Sequence, residues 1–282
     1  MAQVKKKTVN VRGRLVDLST PLVMGIVNAT PDSFYGNSRV NSEQAVIDRV
    51  GGMIDEGVSI IDVGGYSTRP GATGVSEQEE IERLLAVIEP VKKYYSEIII
   101  SVDTFRSEVA RQAIGAGGDI VNDVSGGTLD EFMFDTVASL RVPYILMHMR
   151  GTPETMNQLT GYGNLVVDVI KELKVRIDIL RQKGVSDIWV DPGFGFAKTI
   201  EQNFKLLNDL REFKELGYPI LVGLSRKATI YKTLGILSEE ALNGTTVLNT
   251  LALERGASIL RVHDVKAAVE AVKLWTATQR IY

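Results

Sequence analysis

Short apolar runs alternate with amphipathic segments along nearly the whole chain. The run from Ile188 to Val190 is typical, because it is rich in β-branched and aromatic residues and ends in a carboxylate, Asp191. Pro192 and Gly193 then interrupt the extended structure, and a helical pattern follows from Thr199. A buried strand that carries a polar residue to a loop ahead of a helix is one βα unit of a parallel sheet.

The same unit recurs along the chain. The predicted strands end at Asn28, Gly64, Asp103, Asn122, His148, Asp191, Ser225 and His263. About eight such units in a row, with no linker between halves, favour an α/β fold in which residues 1–282 form a single (β/α)8 TIM barrel domain. Residues 8–17 alternate around Arg12-Gly13 and predict a short N-terminal β-hairpin. A doubly wound open sheet is the alternative, but Gly25 to Asn28 is not the G-x-G-x-x-G turn of a Rossmann layout.

Composition narrows the function classes. The formal net charge of −3 provides no broad basic field, so we expect no nucleic-acid partner. The chain has no Cys, which excludes disulfides, thiolate chemistry and Cys-built metal sites. The N-terminal residues are polar and carry no apolar segment typical of a signal peptide, and no apolar run is long enough to span a bilayer. We therefore expect a cytoplasmic protein with no membrane partner.

Polar side chains gather at the predicted strand ends. A barrel places its active site on the loops at the carboxyl ends of its strands. The polar residues at those positions are Asn28, Asp62, Asp103, Asn122, His148, Asp191, Lys227, Arg261 and His263. Any one of them could be a solvated loop residue or a group bonded to backbone. As a ring around one mouth they indicate a binding site.

The chemistry of this ring suggests its ligand. A carboxylate can accept two parallel N–H bonds, so two carboxylates with an Asn and a Lys suit a flat heterocycle with an amidine-like edge. Arg69, Arg261 and His263 are typical of an anion site, because Arg chelates phosphate oxygens in the plane of its guanidinium. No Walker A or H-E-x-x-H motif is present.

Several blocks of the sequence match a known set of motifs, in order and over nearly the whole chain. The blocks are Asn28-Ala29-Thr30-Pro31-Asp32-Ser33-Phe34, Gly64-Gly65-Tyr66-Ser67-Thr68-Arg69-Pro70-Gly71-Ala72, Ser101-Val102-Asp103-Thr104, Asn122-Asp123-Val124-Ser125-Gly126, Asp191-Pro192-Gly193-Phe194-Gly195-Phe196, Ser225-Arg226-Lys227 and Arg261-Val262-His263-Asp264. Together they resemble the signature motifs of the dihydropteroate synthase family, a pterin-binding TIM barrel of folate biosynthesis.

The resemblance implies a reaction and its site residues. The reaction condenses 6-hydroxymethyl-7,8-dihydropterin pyrophosphate with 4-aminobenzoate and gives 7,8-dihydropteroate and pyrophosphate. The implied pterin-binding residues are Asp103, Asn122, Asp191, Lys227 and Arg261, with Arg261 stacked on the pterin face. The implied pyrophosphate-binding residues are Asn28, Arg69, Arg261 and His263, with Mg²⁺ as cofactor beside Asn28. The implied aminobenzoate-binding residues are Phe34, Thr68, Pro70 and Phe196, with Lys227 beside them.

The resemblance also implies a mechanism. Because an aromatic amine is nucleophilic without a base, the difficult step is loss of pyrophosphate, and the family is described as reacting in an SN1-like way. The implied catalytic residues are Asp103, Lys227, Arg261 and Arg69. The resemblance further implies a homodimer and a target for sulfonamides.

Two other functions compete with this expectation. A pterin-binding methyltransferase domain shares the barrel and its carboxylate–amide pocket, but it does not need Ser67-Thr68-Arg69-Pro70. A non-catalytic pterin-binding barrel would be expected to have lost a loop residue, and none is lost. The chain departs from the family at Tyr66, commonly Glu or Gln, and at Ala228, commonly Ser. It also departs in the first loop, which reads Phe34-Tyr35-Gly36-Asn37.

Overall fold

The computed structural model describes residues 8–29, 39–66 and 74–279, and the side chains of residues 39–42 are not described. The strands are β1 (Thr8–Val11), β2 (Arg14–Asp17), β3 (Leu22–Asn28), β4 (Ile60–Gly64), β5 (Ile99–Asp103), β6 (Ile120–Asp123), β7 (Tyr144–Met147), β8 (Ile188–Asp191), β9 (Leu221–Val222) and β10 (Ile259–Val262). The α-helices are α1 (Arg39–Asp55), α2 (Glu77–Tyr94), α3 (Ser107–Gly115), α4 (Met133–Leu140), α5 (Leu165–Gln182), α6 (Ile200–Asn208), α7 (Ala228–Leu234), α8 (Leu242–Glu254) and α9 (Val265–Gln279).

The eight strands β3 to β10 form a closed parallel barrel. Their order in the sheet is β8-β7-β6-β5-β4-β3-β10-β9, and every pair in that order is parallel. β8 and β9 are the first and last strands in this order. A parallel bridge between Val190 of β8 and Ile220, the residue before β9, joins them and closes the sheet. This closure confirms the TIM barrel and is incompatible with the open doubly wound sheet.

Strand β9 is shorter than the sequence predicts. The apolar run extends from Ile220 to Leu224, but only Leu221 and Val222 are paired as a strand. Gly223 follows directly, and a glycine within a strand has no side chain to pack and weakens it. The backbone therefore leaves the sheet early and begins the loop that carries Lys227.

Two apolar layers hold the barrel together. The outer layer lies between strands and helices, where Leu84, Leu173 and Leu206 are fully buried against the sheet. The inner layer fills the barrel and is made of one side chain from almost every strand together with two from β1: Val9, Val11, Met24, Ile60, Ile120, Ile145, Trp189, Leu221 and Ile259. The hairpin of β1 and β2 confirms the prediction for residues 8–17 and closes the amino-terminal end of the barrel.

Among the described residues, no helix combines the length and the apolar character needed to cross a bilayer.

Candidate active site

Strand alternation delivers the polar side chains to the carboxyl end of the barrel. Side chains two positions apart on a strand point to the same face. Each of four inward apolar residues is followed, two positions later, by a polar one: Ile60 by Asp62, Ile120 by Asn122, Trp189 by Asp191, and Ile259 by Arg261. Asp103 follows Ile99 by four positions on β5 and so shares its face. Inside the barrel, the apolar layer is therefore followed by a polar layer two residues further along the strands.

Arg261 is the centre of this polar layer. Its Nε donates to Asp62 Oδ2 at 2.6 Å, and its terminal nitrogen donates to Asp103 Oδ2 at 2.5 Å. Asn122 Nδ2 lies 3.3 Å from both oxygens of Asp62, which is fully buried. One guanidinium thus links β10 to β4 and β5, and one amide links β6 to β4.

The proton affinity of Asp103 is unusual for a carboxyl group. Burial raises its pKa to about 7, although the positive charge of Arg261 opposes the rise. Burial would lower the pKa of Arg261, but Asp62 and Asp103 outweigh it and raise that pKa further. The Asp103 carboxyl therefore changes its protonation state near neutral pH, while Arg261 stays charged.

Asp191 and Lys227 form the opposite side of the mouth. Burial raises the pKa of Asp191, with Lys227 opposing the rise, and Asp191 Oδ1 accepts from the Gly193 amide at 2.7 Å. Burial lowers the pKa of Lys227 to about 8, although the charge of Asp191 opposes the fall. Lys227 Nζ donates to the Phe194 carbonyl and lies 4.7 Å from the centroid of the Phe196 ring.

The loop after β8 requires glycine at one position. Gly193 has φ +75°, and a Cβ there would lie 1.9 Å from the carbonyl oxygen of His148. No side chain fits such an approach, so the turn that follows Asp191 depends on glycine at position 193.

A second ion pair orients the loop that carries Lys227. Arg226 has φ 54° and donates through Nε and a terminal nitrogen to the two oxygens of Asp264, at 2.9 and 2.8 Å. Bidentate pairing of this kind fixes direction as well as distance. It ties the residue before Lys227 to the residue after His263.

Ser225 fixes the orientation of the His263 ring. Ser225 Oγ accepts from the His263 amide at 3.1 Å and lies 3.0 Å from its Nδ1. A hydroxyl has one proton and two lone pairs, so Oγ can accept from the amide while it either donates to Nδ1 or accepts from Nδ1–H. The two contacts hold the imidazole beside the loop that carries Lys227.

Most of the predicted site residues lie at the mouth. Arg261 is bonded to both Asp62 and Asp103, and Asn122 is bonded to Asp62. Phe196 contacts Lys227. Asn28 is exposed at the end of β3, paired in register with Gly64. The predicted residues Phe34, Thr68, Arg69 and Pro70 lie outside the described residues.

His148 differs from the prediction that it belongs to the ring. It is fully buried, and its Nε2 lies 3.1 Å from Glu172 Oε2 on α5. Ile145 faces the barrel interior, and because side chains alternate along a strand, Met147 continues on that face while His148 points to the helix layer.

Sequence reasoning placed Asp62 in the ring at the barrel mouth without giving it a role of its own, and it did not consider Lys198. In the structure Asp62 is bonded to both Arg261 and Asn122. Lys198 is buried beside the loop after β8, and no spacing signal distinguishes it from a surface lysine.

The arrangement suits binding and charge stabilisation. Carboxylates, an amide, a lysine and an arginine converge on one mouth, so a flat heterocycle with donors and acceptors on its edge can be bonded there. Within the described ranges, no group of three or more His, Cys, Asp or Glu side chains is placed to hold a metal ion. An amide oxygen such as that of Asn28 suits Mg²⁺, which keeps several waters and is often held by few protein ligands together with substrate phosphates.

Comparisons with known proteins agree with this chemistry. The family model for pterin binding enzymes matches residues 24–263. The dihydropteroate synthase of Synechocystis is 46% identical over 261 residues, which are 92% of this chain and 90% of the relative. The Yersinia pestis dihydropteroate synthase in a sulfonamide drug complex has a TM-score of 0.89 at 37% identity, covering 97% of this chain and 99% of its own. The Xanthomonas albilineans enzyme in complex with 7,8-dihydropteroate has a TM-score of 0.84 at 36% identity, with 97% and 99% covered.

Proposed function

The chain belongs to the dihydropteroate synthase family of transferases. From that premise we propose which residues at the barrel mouth bind each substrate and which take part in the reaction. The reaction joins 6-hydroxymethyl-7,8-dihydropterin pyrophosphate to 4-aminobenzoate. The observation that carries the proposal is the linked set of Asp62, Asp103, Asn122 and Arg261, with Asp191 and Lys227 opposite.

The pterin is bound by the polar layer. Asp191 accepts two N–H bonds from the amidine-like edge, and its buried carboxylate makes these bonds strong. Lys227 donates to the pterin carbonyl, and Asn122 supplies both a donor and an acceptor. Asp103 accepts from the ring on the side of Arg261, whose guanidinium stacks on the pterin face.

The leaving group is bound by cations at the rim. Asn28, Arg69, Arg261 and His263 receive the pyrophosphate. Mg²⁺, held beside Asn28 and by phosphate oxygens, would supply positive charge to the departing group. These charges act on the leaving group as it gains negative charge, which is where electrostatic stabilisation lowers a barrier most.

Bond breaking comes before bond making. The carbon–oxygen bond of the pterin methylene breaks with its electron pair leaving on pyrophosphate. The resulting cation is delocalised into the pterin and stabilised by Asp103. The neutral amine of 4-aminobenzoate then forms the new carbon–nitrogen bond and releases a proton. Asp103, Lys227, Arg261 and Arg69 are the catalytic residues of this scheme.

The aminobenzoate is bound by Phe34, Thr68, Pro70 and Phe196, beside Lys227. The Phe196 ring lies over the Lys227 ammonium in the described structure, so an aromatic ring and a cation are already adjacent there. Because the related Yersinia pestis enzyme was solved with a sulfonamide drug, we expect sulfonamides to compete with aminobenzoate in this chain as well.

The protein is a homodimer in this proposal, and its other partners are small-molecule substrates. The support is a groove between α8 and α9, where the exposed apolar side chains of Leu242, Leu251 and Leu274 lie together. Exposed apolar side chains in one patch are typical of a protein–protein interface. The single domain over residues 1–282 and the cytoplasmic location stay predictions.

One assay tests the function. Purified protein should release pyrophosphate only when the pterin pyrophosphate and 4-aminobenzoate are both present, and 7,8-dihydropteroate should accumulate in equal amount. A pterin-binding methyltransferase domain would bind a pterin without consuming aminobenzoate, and a non-catalytic barrel would release nothing. Either result would remove the proposal.

A further inference from the structure

Lys198 lies buried behind the loop that joins β8 to α6. Only 8% of the residue is exposed, and its Nζ lies 3.0 Å from His148 Nδ1, 3.0 Å from the Gly193 carbonyl and 3.1 Å from the Phe196 carbonyl. An ammonium group has three N–H donors and no acceptor. The three neighbours therefore match its three donors.

The hydrogen bond from Lys198 determines the tautomer of His148. Because Nδ1 accepts from the ammonium, the imidazole proton is on Nε2, which donates to Glu172 Oε2 at 3.1 Å. Burial lowers the pKa of His148 to about 4, so the ring is neutral near pH 7. Glu172 also accepts from Arg150 at 2.5 Å, and its hydrogen bond from His148 lowers its own pKa to about 2. A continuous chain of hydrogen bonds thus joins helix α5 to the loop after β8.

Two lysines hold successive parts of that loop by its carbonyl groups. Lys198 binds the carbonyls of Gly193 and Phe196, and Lys227 binds the carbonyl of Phe194. The loop amide of Gly195 donates to Asn203 on α6 at 2.7 Å. The position of the Phe196 ring follows from these backbone contacts, since its own carbonyl is one of the groups that Lys198 binds.

We propose that Lys198 is a positioning residue that holds the loop from Asp191 to Phe196 in the shape the reaction needs, with His148 and Glu172 orienting its ammonium. Lys198 should affect the binding of 4-aminobenzoate more than the binding of the pterin. It binds the carbonyl of Phe196, and no side chain of the proposed pterin site hydrogen-bonds to it. The inference rests on the proposed function of Phe196.

The ammonium is held close to its titration point. Burial lowers the pKa of Lys198 to about 7; Asp191 and Glu172 favour the charged form, while Lys227 and Arg150 oppose it. Raising the pH through this value removes one donor, so one of the three acceptors loses its partner. The loop contacts should therefore weaken as the pH rises.

The first experiment compares Lys198→Met with Lys205→Met in the full-length protein. Lys205 lies on α6, is largely exposed and pairs with Asp209, so it is a matched control. We expect Lys198→Met to raise KM for 4-aminobenzoate about tenfold, because the carbonyls of Gly193 and Phe196 are no longer held and the loop must be ordered when the substrate binds; tenfold corresponds to about 1.4 kcal/mol. Affinity for the pterin pyrophosphate, measured by calorimetry, should stay within about twofold. An unchanged KM for aminobenzoate would overturn the inference.

The second experiment changes the acceptor and not the lysine. His148→Asn keeps an oxygen near the position of Nδ1, whereas His148→Leu leaves the ammonium with two acceptors. We expect KM for aminobenzoate to stay close to wild type in His148→Asn and to rise in His148→Leu. Equal values in the two variants would show that the ring only fills space. This pair keeps the test decisive if Lys198→Met fails to fold.

The pH dependence of KM for 4-aminobenzoate shows whether the charge of Lys198 positions the loop or its side chain only fills space. In the wild type, KM for aminobenzoate should rise as the pH passes through about 7, and Lys198→Met should lack that component. Asp103 and Lys227 titrate in the same range in both proteins, so the difference between the two profiles isolates Lys198. Identical profiles would overturn the inference. A wild type without dihydropteroate synthesis would instead remove the proposed function, so the two failures are distinguishable.

Discussion

Replacing Asp62 by Asn tests whether the linked set of Asp62, Asp103, Asn122 and Arg261 stabilises the barrel. The substitution keeps the shape of the side chain and removes its charge. Asp62 is fully buried, accepts from Arg261 Nε at 2.6 Å and lies 3.3 Å from Asn122 through each oxygen. The variant therefore loses a buried ion pair and places an amide nitrogen near a donor.

The expected loss in the free energy of unfolding depends on the partners that Arg261 keeps in the variant. Removing one partner of a buried pair costs about 3–5 kcal/mol in the free energy of unfolding. Here Asp103 still compensates Arg261, and the new amide oxygen can accept one hydrogen bond, so we expect about 2–3 kcal/mol. In a chain of this size that loss lowers the melting temperature by roughly 4–12 °C.

Urea denaturation followed by fluorescence measures the loss, with Asp178→Asn on the exposed face of α5 as the matched control. The midpoint should fall for Asp62→Asn, the slope should stay the same, and the control should match wild type. The pKa of Asp103 should also fall below about 7, because the charge of Asp62 contributes to raising it. A variant within about 0.5 kcal/mol of wild type would refute the reasoning, because surface substitutions alone reach that size.

Three further predictions concern the substrates and pH. Asp191→Asn should weaken binding of a pterin analogue by roughly 2–5 kcal/mol in calorimetric titration, since a donor then faces a donor; unchanged affinity would remove Asp191 from the pocket. Arg69→Ala should lower kcat and kcat/KM together by on the order of 10²-fold, as loss of a transition-state contact does; a rise in KM alone would assign Arg69 to ground-state binding. The contribution of Asp103 to the free energy of unfolding should fall as the pH rises from about 4 to about 7, because the folded state keeps a proton that the unfolded state has lost. The Asp103→Asn variant should lack that component, and matching pH curves for variant and wild type would contradict the assignment.

Much of the fold was predictable because the chain repeats one local pattern. The strands ending near Asn28, Gly64 and Asp103 were predicted from apolar runs followed by polar residues, and the structure has strands ending there. Closure of the sheet was predicted from the number of units. The early end of β9 at Val222 was not, because the apolar run continues to Leu224 and pattern alone cannot tell a paired residue from a buried loop residue.

The sequence predicts that several polar side chains share the barrel mouth, but it does not predict which of them bond to one another. Side-chain alternation explains why Asn122, Asp191 and Arg261 share one mouth, and it would also have excluded His148 if counted from Ile145. Contacts such as Lys198 with His148 join residues that are distant in the sequence and sit on different elements. Their pairing depends on how α5 and the loop after β8 pack together, and no local pattern encodes that.

Closure of the barrel has a consequence for synthesis on the ribosome. Strand β3, the first of the barrel, pairs with β10, the last, and Val9 of the hairpin packs in one cluster with Ile259 of that last strand. A nascent chain therefore carries an unpaired β3 edge and an undocked hairpin until its final segment emerges. Contacts of such high sequence separation slow folding and leave strand edges exposed to other chains. Chains truncated before β10 should consequently be captured by chaperones or aggregate, although nearly all of their βα units are present.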